Sequence, residues 1–285
     1  MQTRGQIERG ASEAKAAARG AATSQPVTWL ARLGYAARGI VYLVIGGLAI
    51  KLATGYGGKV TDQQGALQAI GQQPFGKFLL VIVAIGLVGY ALWKLVEAFF
   101  DPDGVGKSAK GIAGRIGDVI VGLTYASLAL GAISIVTGAS NGGKSSNAST
   151  QDWTAKLLQH PFGVFLVVII GLIVVATAAY LLYRAYAADF RKRLNLSSLS
   201  AQWRKWAIFS GRFGYAALGV VYGIIGIFLV VAAVKDNAGQ AKGLSGALQL
   251  LIHQPFGPVL LAAVALGLIA YGIYSFVEAR YRRLV

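Results

Sequence analysis

Residues 73–93 read QPFGKFLLVIVAIGLVGYALW, a turn that contains proline followed by an unbroken apolar run. With its flanks, this run approaches the roughly 20 residues that a helix needs to cross a hydrocarbon core. Five comparable runs occur at 39–50, extended to 34–54, and at 119–136, 164–183, 215–234 and 259–277. They are too long for barrel strands and too uniformly apolar for a soluble bundle, so six transmembrane helices are predicted.

The composition agrees with a membrane protein and excludes several kinds of chemistry. Hydrophobic residues make up 55% of the chain and the mean hydropathy is +0.59, above the soluble norm. The chain has no cysteine, which excludes disulfides, thiol catalysis and cysteine-ligated metals. Residues 1–28 lack the apolar centre of a signal peptide. We expect a mostly disordered cytoplasmic tail there, with an interfacial helix as the alternative.

The basic residues indicate an orientation rather than a nucleic-acid partner. The formal net charge is +16, but most of the 27 lysines and arginines lie in four segments. These segments share one side of the predicted six-span topology, and the positive-inside rule makes that side cytoplasmic. We therefore expect a multi-pass protein of the bacterial cytoplasmic (inner) membrane, with both termini in the cytoplasm and no bound nucleic acid.

The six predicted spans form three copies of one two-helix unit. The first helices open with Arg32-Leu-Gly34-Tyr35, Arg115-Ile-Gly117-Asp118 and Arg212-Phe-Gly214-Tyr215. The second helices open with the structural motif Pro74-Phe75-Gly76, Pro161-Phe162-Gly163 and Pro255-Phe256-Gly257. Such self-similarity at changing loop length indicates a triplication. The predicted division is a tail at 1–28, repeat 1 at 29–103, repeat 2 at 112–190, a basic cytoplasmic linker at 191–208 and repeat 3 at 209–285.

This arrangement predicts an all-α polytopic fold of three tandem helical hairpins. Because every copy crosses the membrane twice, all three share one orientation, which permits a pseudo-threefold axis along the membrane normal. The glycines of spans one, three and five favour close helix contact, so we expect those spans inside. We expect each motif proline in the first turn of its helix. Short interfacial helices are predicted upstream, around 65–68, 153–158 and 246–249, with a flexible loop at 141–150.

These motifs also carry a resemblance to a known family. The Arg-x-Gly-Tyr opening, Gly39-x-x-Tyr42, the Gln-Pro-Phe-Gly turn and Tyr90-x-x-Trp93-x-x-x-Glu97 resemble the bacterial membrane family catalogued as domain of unknown function 1206. The resemblance runs from about residue 30 to the C-terminus. It implies the three-hairpin architecture and supplies no established activity. The middle copy departs from the pattern, with Asp118, Thr177 and Arg184 where the other copies have Tyr, Tyr and Glu.

Charged residues near the cytoplasmic ends of the spans are the candidate ion pairs. Counted from the motif prolines, Glu97, Arg184 and Glu278 occupy one equivalent position. On the first helices, Arg38 in copy one and Asp118 in copy two lie on the same helix face. Copy one thus has the base on its first helix and the acid on its second, and copy two has the reverse. We therefore predict the pairs Arg38 with Glu97 and Asp118 with Arg184, and Glu278 with Arg212. A partner from a neighbouring copy is equally open for each, and Lys94 is expected to snorkel.

Catalysis is the function that the sequence supports least. His160 and His253 flank the proline motif and lack carboxylate companions at metal-ligand spacing. No nucleophile elbow, P-loop or dinucleotide fingerprint occurs. We expect no catalytic residue, cofactor or metal.

Two non-enzymatic functions remain. A small-solute transporter or channel along the repeat axis is the alternative, weakened because the predicted midplane holds no ionisable residue. The favoured hypothesis is a membrane component that binds anionic lipid, or a partner membrane protein, through its basic cytoplasmic face. Arg32, Arg115 and Arg212 are the candidate headgroup-binding residues.

Overall fold

The computed structural model describes residues 25–100, 106, 108–139, 143–195, 197 and 199–282. The described helices are α1 Gln25–Ala53, α2 Gln63–Gly71, α3 Gly76–Phe100, α4 Ala109–Thr137, α5 Ser146–Leu158, α6 Gly163–Ala187, α7 Ala201–Val234, α8 Leu244–Ile252 and α9 Gly257–Tyr281. Six of them, all except α2, α5 and α8, are long and apolar enough to cross a membrane. The predicted all-α polytopic class is confirmed. Most of the predicted tail lies outside the described residues, and its last four residues belong to α1.

The helix bundle has two ends, which we call its two faces, and they differ in which parts of the chain lie there. The terminal face is the side on which α1 begins and α9 ends. The short-helix face is the opposite side, where α2, α5 and α8 connect the two long helices of each repeat. The sequence predicts that the terminal face is cytoplasmic.

The long helices form a ring that is open at one place. Neighbours pack along their lengths in the order α4, α3, α1, α9, α7, α6, and among the described residues α4 and α6 do not pack along each other. In an apolar stretch of 18 residues within each long helix, 56% of the residues of α3 and 50% of those of α9 are buried. The buried share is 28% for α4 and 17% for α6. The prediction that span three lies inside is therefore wrong, because α4 is at one end of the open ring. The pseudo-threefold axis stays a prediction.

Contacts between repeats recur around the ring. The equivalent glycines Gly39, Gly122 and Gly219 each lie against the second long helix of another repeat. A Cβ added there would approach, in turn, Gly272 and Phe276, Leu95 and Ala91, and Leu182 and Ala178 within 3.3 Å. Small residues at these positions let the helices approach closely.

Each motif proline lies in a tight turn between a short helix and a long one. The N–H groups of Gly76, Gly163 and Gly257 donate to the carbonyls of the residues before the prolines, at 2.8 to 2.9 Å. The prediction of proline in the first helical turn is thus wrong, because the long helices begin two residues later, at the glycines. Glycine is required there, since a Cβ would lie 2.0 to 2.2 Å from a carbonyl oxygen of the preceding helix.

The three short helices are tied together across the short-helix face. Asp62 caps α2 through the Gly65 N–H at 2.9 Å and accepts the Ser146 N–H of α5 at 2.5 Å. Asn147 Oδ1 accepts two backbone N–H groups at the start of α8, at 2.7 and 3.1 Å. Because α5 begins at Ser146, the last part of the predicted loop 141–150 is helical, and 141 and 142 lie outside the described residues.

The predicted linker 191–208 is largely structured on the terminal face. A 3-10 helix spans Asp189–Arg193, and α7 begins at Ala201, so residues 201–208 belong to a long helix. Phe190 is 1% exposed, and its ring centroid lies 5.4 Å from that of Tyr215 and 5.1 Å from that of Tyr274. This segment therefore packs beneath α7 and α9.

Candidate functional site: a chain of charges and an open seam

Arg38 on α1 is a buried charged side chain with several partners in the ring. Its guanidinium forms an ion pair with Glu278 on α9 and donates to Tyr90 Oη at 2.6 Å and to Ser275 Oγ at 3.1 Å. Arg38 is 5% exposed and Glu278 is 2% exposed. A buried ion pair needs such further hydrogen bonds to offset the loss of hydration.

The ion pair continues into a chain of alternating charges near the terminal face. Arg282 bonds Glu278 at 3.5 Å and also pairs with Glu97 on α3. Glu97 accepts from Lys94 at 2.5 Å, and Lys94 donates to Asp118 on α4 at 2.9 Å. The order Arg38, Glu278, Arg282, Glu97, Lys94 and Asp118 alternates in sign, so each interior charge has opposite charges on both sides.

Aromatic groups complete the surroundings of this chain. Trp93 Nε1 donates to Glu97 at 2.8 Å. The ring of Tyr35 lies between two guanidinium groups, 4.9 Å from that of Arg38 and 5.0 Å from that of Arg282. Cation–π contact of this kind strengthens when water is excluded, and Tyr35 is fully buried.

The predicted pairs within one repeat are wrong, and the alternative that was left open, a partner from a neighbouring copy, is what the structure has for Arg38 and Asp118. Arg38 pairs with Glu278 on α9 and not with Glu97 on α3, although α1 packs against both helices. Asp118 on α4 pairs with Lys94 on the neighbouring α3 and not with Arg184, because α4 and α6 do not pack along each other among the described residues. Glu278 accordingly pairs with Arg38 and Arg282 and not with Arg212. The expectation that Lys94 snorkels is also wrong, since it is 8% exposed and binds two carboxylates.

Arg184 is not a link of the chain of charges, although it lies close enough to Glu278 to interact with it electrostatically. In the described part of the protein it lies within ion-pair distance of no carboxylate, and its guanidinium lies 4.4 Å from the ring centroid of Tyr215. Its equivalents Glu97 and Glu278 are buried and doubly paired, whereas Arg184 is only half-buried. The middle repeat therefore presents a cation where the other two hold a neutralised carboxylate.

Small residues close the hairpins of repeats 1 and 3. A Cβ added at Gly86 would lie 2.6 Å from the Ala37 Cβ, and one added at Gly267 would lie 2.3 Å from the Ala217 Cβ. In repeat 2 the equivalent residues are Ile120 and Ile173, which are 60% and 58% exposed. Two branched side chains thus replace an alanine and a glycine at the point of closest approach, and the helices stay apart.

The first-helix glycines show the same difference. A Cβ added at Gly34 or Gly214 would come within 2.5 to 2.7 Å of Tyr90 or Tyr271 on the facing helix, whereas one at Gly117 would meet nothing within 4 Å. We call the resulting gap between α4 and α6 the seam. Its sides are formed by the equivalent interface positions of the two helices: Gly117, Ile120 and Thr124 on α4, and Ile173, Thr177 and Arg184 on α6.

One tyrosine–tyrosine contact that is made twice between repeats is missing at α6. Tyr42 packs edge-on against Tyr271 with ring centroids 4.9 Å apart, and Tyr125 packs the same way against Tyr90 at 4.6 Å. The third equivalent pair would be Tyr222 with residue 177, which is threonine. Tyr222 is consequently 37% exposed, against 6% for Tyr42 and 8% for Tyr125.

Two of the three candidate headgroup arginines, Arg115 and Arg212, are engaged with helix ends. Arg115 donates to the carbonyls of Ala98 at 2.5 Å and Phe99 at 3.0 Å, and Arg212 donates to that of Tyr186 at 3.1 Å. Each of the two thereby caps the C-terminal end of the preceding repeat's second helix. The Arg32 guanidinium lies 5.8 Å from the Trp29 ring centroid. Headgroup binding by these three residues stays a prediction.

The histidines and acidic residues of the described segments form no cluster of three or more that would suit a metal ion. His253 Nδ1 lies 2.7 Å from the carbonyl oxygen of Gln249, within its own helix end.

The comparisons with known proteins agree with this architecture. The model of the family described as Domain of Unknown Function (DUF1206) matches residues 33–101, 116–188 and 213–282. The chain belongs to this family. It is 35% identical over 253 residues to YxxB of Bacillus subtilis strain 168, described as an uncharacterised protein, covering 89% of this chain and 90% of that one. No solved structure matches.

Sequence reasoning missed several residues of the site. Lys94, which was expected to snorkel, and Arg282, which was not singled out, are both links of the charge chain. Ile120 and Ile173 were overlooked, although aligning the repeats would have set them against an alanine and a glycine in the other two copies. That comparison requires knowing which helix faces meet, and only the ring order supplies it.

Proposed function

We propose that this protein binds a phosphate-bearing anionic membrane lipid in the seam, with the headgroup at Arg184, and that it is not an enzyme. The observation that carries the proposal is the half-buried Arg184 guanidinium beside an open gap between α4 and α6 whose other side chains are uncharged. A family whose function is unknown neither assigns nor opposes this activity.

Charge supports an anionic ligand. The carboxylates of the charge cluster near the terminal face are Glu97, Asp118 and Glu278. Each of these carboxylates forms an ion pair within the chain of charges, whereas Arg184 forms none with the described residues. An uncompensated charge within a membrane span is costly, and a lipid phosphate would neutralise it.

Shape supports a lipid from one leaflet. Ile173, Thr177 and Arg184 follow one another at helical spacing and share a face of α6. Tyr215, whose ring contacts Arg184, and Tyr222 lie seven residues apart on α7, about 10 Å along the helix. A headgroup at Arg184 would therefore leave the exposed Tyr222 at the depth of the upper acyl chain.

The short-helix end of the seam is closed, which favours a lipid over a spanning helix. The connection from α4 to α6 crosses that end, and its helix α5 is bonded to Asp62 and to the start of α8. A ligand that occupies only the half of the membrane near the terminal face fits this space. A partner helix would need an opening across both halves.

Transport along the ring axis receives less support. The interior is occupied by packed tyrosine rings, with centroids 4.6 to 5.6 Å apart among Tyr35, Tyr42, Tyr90, Tyr125, Tyr215 and Tyr271. Near the terminal face, the ring of Phe190 packs against the rings of Tyr215 on α7 and Tyr274 on α9. We therefore do not propose a solute path.

The proposal is tested with spin-labelled lipids. The full chain, reconstituted in phosphatidylcholine vesicles, is given trace spin-labelled phosphatidylglycerol or phosphatidylcholine, and the immobilised fraction of each is measured by EPR. We expect preferential immobilisation of the anionic lipid. Arg184→Gln should lower that preference about fivefold, which corresponds to about 1 kcal/mol for one basic residue at the membrane surface.

Two further variants separate the site from general surface charge. Arg280→Gln removes an exposed basic residue of α9 outside the seam and should leave the preference unchanged. Ile120→Ala with Ile173→Gly should close the seam and abolish the preference while Arg184 remains. Equal preference in the wild type and in Arg184→Gln would overturn the proposal.

A further inference from the structure

The three motif phenylalanines share an unusual backbone and an unusual exposure. Phe75, Phe162 and Phe256 have φ values of 60°, 65° and 60°, in the left-handed region that favours glycine. Their residues are 86%, 82% and 82% exposed. No packing within the described protein accounts for a large apolar side chain at these positions.

The turn itself would be better served by another residue. The glycine N–H bonds back to the residue before proline, so each phenylalanine occupies the third position of a four-residue turn. With proline second and a positive φ third, such a turn normally takes glycine or asparagine there. The same unfavourable choice occurs in all three copies. Strain of this kind is a reason to look for a role of the side chain outside the chain's own core.

The position of the three rings identifies their surroundings. Each directly precedes the first residue of a membrane-crossing helix, α3, α6 or α9, at the short-helix face. Four residues after each motif proline lies another exposed apolar residue, Phe78, Phe165 or Val259, with exposures of 67%, 64% and 67%. Those residues lie in the first turn of the membrane-crossing helices, where an exposed apolar side chain would face acyl chains. The phenylalanines therefore stand at the boundary between headgroups and hydrocarbon.

We infer that Phe75, Phe162 and Phe256 are three membrane anchors that insert into the leaflet at the short-helix face. The strained turn points each ring away from the helix bundle, and the three repeats distribute the anchors around it. The glycine that follows each ring keeps the short helix close to the long helix and so fixes the direction of the turn. This inference concerns the membrane face opposite Arg184 and is independent of the seam.

The absence of native cysteine allows a direct depth measurement. Phe75→Cys, Phe162→Cys and Phe256→Cys are made singly, labelled with a nitroxide and reconstituted as full chains in phosphatidylcholine vesicles. EPR power saturation compares accessibility to oxygen, which concentrates in lipid, with accessibility to a water-soluble nickel chelate. Lys144→Cys, whose native side chain is 70% exposed between α4 and α5, gives the aqueous reference, and Phe78→Cys gives the lipid reference.

We expect all three labels to show an oxygen-to-nickel accessibility ratio between the two references and nearer to that of Phe78→Cys. Ratios equal to the Lys144→Cys reference would overturn the inference. So would immobilised labels that neither reagent reaches, because they would indicate burial against a protein partner or a second copy.

A second variant separates anchoring from folding. Phe75→Gly, Phe162→Gly and Phe256→Gly together remove the rings and suit the positive φ. In detergent, we expect the triple variant to unfold at the same temperature as the wild type or higher. A lower unfolding temperature in detergent would show that the rings pack within the protein, and it would contradict the inference.

Discussion

The outer repeats and the middle repeat place one sequence pattern in two different structures. In repeats 1 and 3, alanine meets glycine where the two long helices cross, and a Cβ on the glycine would overlap its neighbour. In repeat 2, isoleucine occupies both positions and both side chains are exposed. The comparison teaches that residues at the crossing point can decide whether a hairpin closes, even when its turn motif and the 25-residue length of its second long helix are preserved.

The charges follow the same division. The links of the charge chain that bind two opposite charges, Glu278, Arg282, Glu97 and Lys94, belong to repeats 1 and 3. Buried ion pairs thus join repeats 1 and 3 to each other. Repeat 2 contributes a partly exposed carboxylate, Asp118, at one end of the chain, and an arginine, Arg184, that is not a link of the chain.

The largest expected effect comes from breaking the chain in a closed repeat. Glu278→Gln leaves the buried Arg38 and Arg282 without one of their carboxylates, and loss of one partner of a buried pair costs about 3–5 kcal/mol. We expect the free energy of unfolding in detergent to fall by that amount. Asp118→Asn is the matched change in the open repeat.

Among the described residues, Asp118 binds Lys94 only; its side chain is 29% exposed, and Lys94 keeps Glu97. A loss of about 1 kcal/mol or less is therefore expected for Asp118→Asn. Equal losses for the two variants would contradict the division between closed and open repeats.

The next largest effect compares equivalent glycines. Gly34→Ala forces a Cβ within 2.7 Å of the Tyr90 backbone, and Gly117→Ala meets nothing within 4 Å. We expect Gly34→Ala to destabilise the protein by about 1–3 kcal/mol, as for other overpacked contacts. Gly117→Ala should be neutral or stabilising by up to about 1 kcal/mol, because alanine favours a helix more than glycine. Unfolding in detergent measures both, and the reverse order would be incompatible with an open middle hairpin.

The smallest energetic effect is expected from closing the seam. Ile120→Ala with Ile173→Gly gives repeat 2 the crossing residues of the other repeats. We expect a change in the free energy of unfolding of about 1 kcal/mol or less, because both isoleucines are exposed and little packing is lost. The informative result is structural, a shorter separation between α4 and α6.

The fold was largely predictable from the sequence because hydrophobic length and motif repetition act locally. Six apolar runs locate the six long helices, and the three motifs locate the turns. The partners of the charges were not predictable, because α1 packs against both α3 and α9, and the sequence does not show whether Arg38 meets Glu97 on one or Glu278 on the other. The seam was missed for the same reason: Ile173 is an ordinary residue in a membrane helix until its equivalents are seen to face Ala37 and Ala217.

The central claim, that the middle hairpin is open and the third is closed, is tested by one distance comparison. Nitroxide pairs are placed at equivalent exposed positions, Leu130→Cys with Leu172→Cys in repeat 2 and Ile227→Cys with Leu266→Cys in repeat 3. Pulsed EPR in lipid then measures both distances. We predict a longer distance in repeat 2, shortened towards that of repeat 3 by Ile120→Ala with Ile173→Gly. Equal distances in the two repeats without those changes would contradict the account.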